Sequence, residues 1–373
     1  MDPLAAIRTR AVSRTLFAPT TLARAIARLG FVQADPIRAP ARAQDLVLRH
    51  RVAGYVAGDL ERRYPSLAID EDVFINYGFM PRAAHAWMHP RPARVPLGAV
   101  TKRRADAVLA FVAARGEAHP ADVDAHFGAG KVKNAWGGTS SATTHLLDAL
   151  HYAGQLRVAR REAGVRVYAL RRALLPAPPE VALDSLVDLL VRTYAPMTAR
   201  ALASTVRRLR YALPHHVTAL GGAIERVKSR LVRVHAGGHD WFYPDEPLTP
   251  RGYDPARARL LAPFDPIVWD RDRFALLWGW TYRFEAYTKV EHRKLGYYAL
   301  PLLWQERVIG WANLSNVDGL LHARVGFVDR AKADRALASA LVDELADVAR
   351  FLAVDPPPRP RWELVGANRV DQR

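Results

Sequence analysis

The chain contains no cysteine. That excludes disulfides, zinc ribbons and thiolate-held iron–sulfur clusters, and it fits a reducing compartment. Long apolar runs are missing as well: nothing approaches the roughly 18 uninterrupted apolar residues of a membrane span. The opening MDPLAAIRTR lacks the apolar stretch of a secretory signal. A cytoplasmic, nucleoid-associated protein is the expectation. Negative charge is in short supply, with 37 Asp and Glu against 54 Lys and Arg in 373 residues, a formal charge of +17. Such an excess costs self-repulsion, and a polyanion is its usual counterweight, so nucleic acid is the expected partner. The alternative on charge alone is a basic enzyme whose arginines simply solvate its surface.

Several familiar chemistries are absent. Gly128-Ala-Gly-Lys131 has neither the spacing nor the Ser/Thr of a P-loop. His85 and His89 lie four residues apart, but no Glu follows His85, so a structural role is expected and no metal is implied. Gly138-Thr-Ser-Ser-Ala142 is no nucleophile elbow, since a Ser there caps a helix. No helix–hairpin–helix is legible, no lysine stands out as a Schiff-base nucleophile, and no cofactor is implied.

What is present is a repeated pattern. Lys102 to Arg115 reads as a helix stopped by Gly116, and Pro120 to Phe127 as a short second helix. A third is capped by Ser140 or Ser141, buries Leu146, Leu147 and Leu150, and ends near Gly154. Leu156-Arg-Val158, a basic turn and Val165-Arg-Val167-Tyr168 then alternate as a hairpin does. Three helices and a basic hairpin predict a winged helix. The plan recurs in Leu183–Tyr194, Thr198–Arg210 and Val217–Ser229, followed by Leu231–Val234 and Trp241–Tyr243. The post-helical strands begin 75 residues apart, at Leu156 and Leu231, as duplication of a module would give. A looser first member has a helix capped by Thr20 or Thr21 and ended by Gly30.

The predicted fold is therefore mainly α with small β wings, an α+β chain of tandem winged helices with a C-terminal cap. Its expected divisions are an N-terminal winged-helix-like domain at 1–98, winged helices at 99–175 and 176–250, a cap at 251–355 and a Pro-rich tail at 356–373. The Pro-containing stretch near 90–98 reads as a linker. In the cap, Tyr297–Leu303, Arg307–Leu314 and Leu321–Phe327 predict a β meander, and Ala331–Val354 a long amphipathic helix.

Gln33-Ala-Asp35 puts an amide and a carboxylate two residues apart. On extended backbone such residues face the same side, although Asp before Pro is also a common turn. The run LGFVQADPIRAPARAQDLVLRHR, Leu29 to Arg51, resembles the winged-helix DNA glycosylases that unhook interstrand crosslinks and give azinomycin producers self-resistance. Residues 260–304, with LLAPFDPIVWDRDR and YRFEAYTKVEHRKLGYYALPLLW, closely resemble that family's C-terminal block. Residues 131–170 are similar to its central winged helix. One segment departs: Asn76-Tyr77-Gly78-Phe79-Met80-Pro81 has neither the His nor the Glu that the crosslink-unhooking members show there.

The resemblance implies that Gln33 and Asp35 are the catalytic pair, in the Gln-x-Asp form. It further implies a monomeric, monofunctional glycosylase acting on N7- or N3-alkylated purines or crosslinks in duplex DNA. Such a base is already cationic and leaves without a general acid, so a fixed carboxylate has only to stabilise the oxocarbenium-like sugar and take a proton from water. Phosphate contacts are expected from Arg160, Arg161 and Arg166 on one wing, from Arg207, Arg208 and Arg210 on a later helix, and from Arg38, Arg42, Lys131 and Lys133. Steep salt dependence with little sequence preference follows. The alternatives are a non-catalytic winged-helix regulator or architectural protein, which has no use for a carboxylate in a DNA-lined channel, and a drug-sequestering resistance protein.

Overall fold

The computed structural model describes residues 2–92, 98–128, 130–133, 139–172, 175–247, 253–328, 334–354 and 362–364. Helices and strands are mixed along the described chain. They form two compact units, one of Met1–Leu60, Asp188–Ser204 and Arg226–Arg373, the other of Glu61–Val187 and Thr205–Glu225. The stretch 176–250, expected as one module, contributes to both.

The first unit begins with a helix, Pro3–Thr15, that the sequence pattern did not reveal. The next, Leu22–Leu29, starts where Thr21 accepts a hydrogen bond from the Arg24 amide and stops at Gly30, whose φ of +76° suits glycine. A two-residue strand, Val32–Gln33, follows, and then the short, wholly buried helix Ala43–Leu48. The C-terminal part is a five-stranded sheet in the order Arg259–Leu260, Leu300–Trp304, Arg307–Val317, Leu320–Phe327, Trp362–Leu364. The first four strands are antiparallel and the last pairs parallel to its neighbour. The expected meander is thus present with shifted ends. Trp362–Leu364, placed in the Pro-rich tail, is a sheet strand, and the remainder of that tail lies outside the described residues.

The long helix is Arg335–Leu352, whose Leu337, Leu341, Leu345 and Val348 are buried at helical spacing. Beneath the sheet Phe274 meets Trp280 edge-on at 5.0 Å, and Trp280 lies 6.2 Å from Trp311. A fully buried ion pair ties the N-terminal part to the cap: Arg51 donates to Asp265 at 2.8 and 3.1 Å, and also to the carbonyls of Thr15 and Val47. A second hairpin, Leu231–Ala236 with His239–Pro244, gains Met197–Thr198 as a third strand.

The second unit holds the pattern most legible in sequence. Helices Ala99–Arg115, Pro120–Phe127 and Ala142–Ala153 precede the hairpin Leu156–Glu162 and Val165–Leu170, to which Glu117–Ala118 adds a strand. Val108, Val112, Val123, Leu147, Leu150, Leu156, Val158 and Tyr168 form its core. Two expected helices differ in detail. The helix from Ala199 ends at Val206 and tightens into a 3-10 turn, Arg207–Tyr211. Another 3-10 segment, Pro214–Ala219, precedes the helix Leu220–Lys228.

The departing segment lies in a hairpin, Ile69–Val73 with Tyr77–Pro81. Asp70, Glu71 and Asp72 are all buried there. Arginines neutralise them: Arg161 on Glu71, Arg82 on Asp70, and Arg91 on Asp72 at 2.8 Å. Arg91, which fell in the expected linker, is therefore packed inside; 93–97 lie outside the described residues.

Candidate active site

Gly30 turns the chain out of its helix, and Pro36 keeps Asp35 out of the helical region. The strand itself ends at Gln33, so the two-residue alternation expected to aim both side chains together does not extend to Asp35. A turn holds Asp35 instead. Its carboxylate accepts the Ile37 amide at 2.9 Å, the Asx arrangement. Its own amide donates to Oε1 of Gln44 at 3.1 Å, and Gln44 is fixed in the buried helix Ala43–Leu48.

Asp35 is 9% exposed. Among the described residues, no basic side chain pairs with it and its second carboxylate oxygen has no hydrogen-bond partner. Burial pushes its carboxyl above the usual range, and only the Ile37 amide opposes this. Desolvation is the larger influence on this carboxylate. A proton acceptor with raised affinity and one uncommitted oxygen is suited to general-base work.

Gln33 is oriented from far along the chain. The Trp269 indole N–H donates to its Oε1 at 2.8 Å. Because that indole nitrogen only donates, the bond fixes which end of the amide is the oxygen. Trp269 in turn rests against Tyr194, centroids 4.9 Å apart. Tyr298 is a further neighbour, with a buried hydroxyl that lacks a hydrogen-bond partner among the described residues. Burial first and the Asp35 charge second push that phenol far up. Its ring meets Phe284 edge-on at 5.2 Å, and Phe284 meets Phe264 at 5.1 Å. Sequence reading missed Trp269, Gln44 and Tyr298 as neighbours of the pair; the available signals were the resemblance of residues 29–51 for Gln44 and of residues 260–304 for the two aromatics.

The expected DNA-binding cations fall into different settings. Arg161 lies on the buried Glu71, and Arg166 on Asp148 at 2.8 Å while stacking over Tyr77. Arg161 thus meets a buried carboxylate, and Arg166 a half-exposed one. Arg160 is half-exposed but pairs with Glu117 and Glu162. Arg207, Arg208 and Arg210 are exposed on their 3-10 turn, and Arg210 covers the Tyr211 ring. Arg38 is exposed, and Arg42 is half-buried ahead of the helix Ala43–Leu48. Lys131 and Lys133 bracket a short strand on which Lys131 is exposed.

His85 and His89 do converge with Asp72, all three buried with ligand-type atoms within 4.8 Å of one another. That carboxylate already holds His89 Nε2 at 2.6 Å, Arg91 at 2.8 Å and Arg171 at 3.3 Å. Two guanidiniums on the same oxygens would oppose a cation electrostatically, and the trio is the centre of a buried ion-pair network.

A buried carboxylate and a tethered amide can together hold a water molecule, and the chain that carries them has a formal charge of +17. The model of the AlkZ-like DNA glycosylases matches residues 26–351, and this chain belongs to that family. Among solved structures, the Streptomyces sahachiroi DNA glycosylase AlkZ is similar, with a TM-score of 0.60 over 98% of this chain and 100% of that one. At 15% identity, that likeness speaks for the fold alone. The class is thus DNA glycosylase, a hydrolase of the bond between a base and its sugar. Among the described residues no helix is long and apolar enough to cross a membrane.

Proposed function

We propose that this protein is a monofunctional DNA-repair glycosylase that hydrolyses the N-glycosidic bond of cationic alkylated purines, N7 or N3 adducts or crosslinks, in duplex DNA. The observation that carries the reading is Asp35: buried, raised in proton affinity and, among the described residues, unpaired with any cation and free at one oxygen. A carboxylate kept so has little structural purpose, and its burial costs stability.

The chemistry follows from the leaving group. A cationic purine departs as a neutral base, so no acid is required, and positive charge accumulates on the sugar. Asp35 faces that charge as an anion and accepts the proton when water adds to the sugar carbon. Gln33, its carbonyl held by Trp269, orients the water. No lysine takes part, so the product is an intact strand with an abasic site. We assign the three-helix-plus-hairpin unit at 99–175, its counterpart at 176–250 and the N-terminal 1–98 segment to tandem winged helices. The protein works as a monomer on DNA in the cytoplasm. Phosphate contact is assigned to the arginines of the wing, Arg160, Arg161 and Arg166, and to exposed cations such as Arg38, Arg207, Arg208 and Arg210. Duplex DNA carrying N7-methylguanine, incubated with the purified protein, should release free base without strand incision. Nicking without alkali would sink the monofunctional assignment, and intact adduct would sink the glycosylase reading.

A further inference from the structure

Residues 283–294 place an apolar tip among cations. Tyr287 is 80% exposed and Val290 72%, while Arg283, Lys289 and Lys294 are exposed around them together with His292 and one acid, Glu291. Large apolar side chains presented together in this way mark a contact surface more often than chance exposure. The loop is also braced. Glu285, 3% exposed, accepts the backbone amides of Lys294, Leu295 and Gly296 at 3.1, 2.7 and 3.2 Å, closing the loop at its base. Arg293 donates to the Thr288 carbonyl at 2.8 Å, and Val290–His292 forms a 3-10 turn. The tip is therefore held in shape while its tyrosine stands in water.

Its position gives that shape a purpose. The Tyr287 ring lies 6.1 Å from Phe284, which lies 5.2 Å from Tyr298. Both Asp35 and Tyr287 bear electrostatically on the Tyr298 phenol. Two ring contacts, through Phe284 and then Tyr298, thus lead from the exposed aromatic toward the candidate base. A purine stacked in a duplex cannot reach a carboxylate in such a recess, so it must leave the stack, and something must occupy or prop the gap. Aromatic faces stack with any base, and neighbouring cations hold the phosphates.

We propose that the Tyr287–Val290 tip is a wedge that enters the duplex at the lesion and keeps the target purine out of the stack. The proposal rests on the reading of Asp35 as the base of a glycosylase. It is tested with a duplex carrying N7-methylguanine beside 2-aminopurine, whose fluorescence rises when stacking is lost. Tyr287→Ala should slow single-turnover release from this duplex by about 5- to 100-fold, the range base–aromatic stacking commands. Tyr287→Trp should restore it. With the lesion set opposite an abasic analogue, where less stacking must be broken, the Tyr287→Ala deficit should shrink to about twofold. In the Asp35→Asn background, binding should still raise the fluorescence, and adding Tyr287→Ala should abolish that rise. A Tyr287→Ala protein with an unchanged duplex rate, an equal deficit on both duplexes, or an undiminished fluorescence rise overturns the wedge. Full release by Asp35→Asn would instead overturn the reading of Asp35, and the fluorescence comparison in the otherwise unaltered protein would still decide the wedge.

Discussion

Replacing Asp35 by Asn should make the protein more stable and nearly inactive. The asparagine keeps an oxygen for the Ile37 amide, so the turn survives and only the charge is lost. That charge is 9% exposed, has no cationic partner and leaves one oxygen unsatisfied among the described residues. Removing it should add about 1 kcal/mol, raising Tm by roughly 2–4 °C in a unit of this size. Activity should fall about 10²- to 10⁴-fold, the usual contribution of a general base.

The pH dependence has a definite sign. Because burial raises the folded pKa of Asp35, the native state holds the proton more tightly than the unfolded chain. Its contribution to stability is fully present below the ordinary carboxylate pKa of about 3.9 and is lost as pH rises through the folded value. The Asn variant should lack that decline. Release by the wild type should climb with pH along a limb displaced above the ordinary carboxylate range, since only the ionised form accepts a proton. Thermal melts and single-turnover rates between about pH 4 and 8 measure both effects. A variant that loses stability along with activity would refute the account of Asp35 as a destabilising functional charge.

Three further substitutions probe the surroundings. Trp269→Phe removes the donor to Gln33 but retains an aromatic against Tyr194; release should fall about 5- to 20-fold, in keeping with about 1–2 kcal/mol for one hydrogen bond, with DNA affinity unchanged in a binding assay. Tyr298→Phe deletes a hydroxyl buried without a partner among the described residues, so denaturant melts should show unchanged or increased stability; a loss above about 1 kcal/mol would mean that the hydroxyl has an important partner. Asp265→Ala strands the buried guanidinium of Arg51 and should cost about 3–5 kcal/mol in the same melts.

Local punctuation was readable in the sequence. Thr21 and Gly30 delimit one helix, Pro120 opens another, and Ser141 and Gly154 bound a third, because caps and positive φ are decided by neighbouring residues. The site was legible only as the spacing of Gln33 and Asp35. Its control comes from 236 residues away in the case of Trp269, and the Arg51–Asp265 pair that helps hold the region spans 214. No local pattern encodes such partners. The acidic run Asp70–Asp72 likewise finds its partners far along the chain, buried against arginines from Arg82 to Arg171. The partners of Arg161 and Arg166, Glu71 and Asp148, were also not legible in the sequence.

The most direct measurement quantifies free N7-methylguanine released from a defined duplex by the wild-type protein and by the Asp35→Asn variant, side by side at neutral pH. The account predicts ready release by the first and a near-spontaneous rate for the second, with the strand unbroken in both. Equal release by the two proteins would contradict it, as would no release by either.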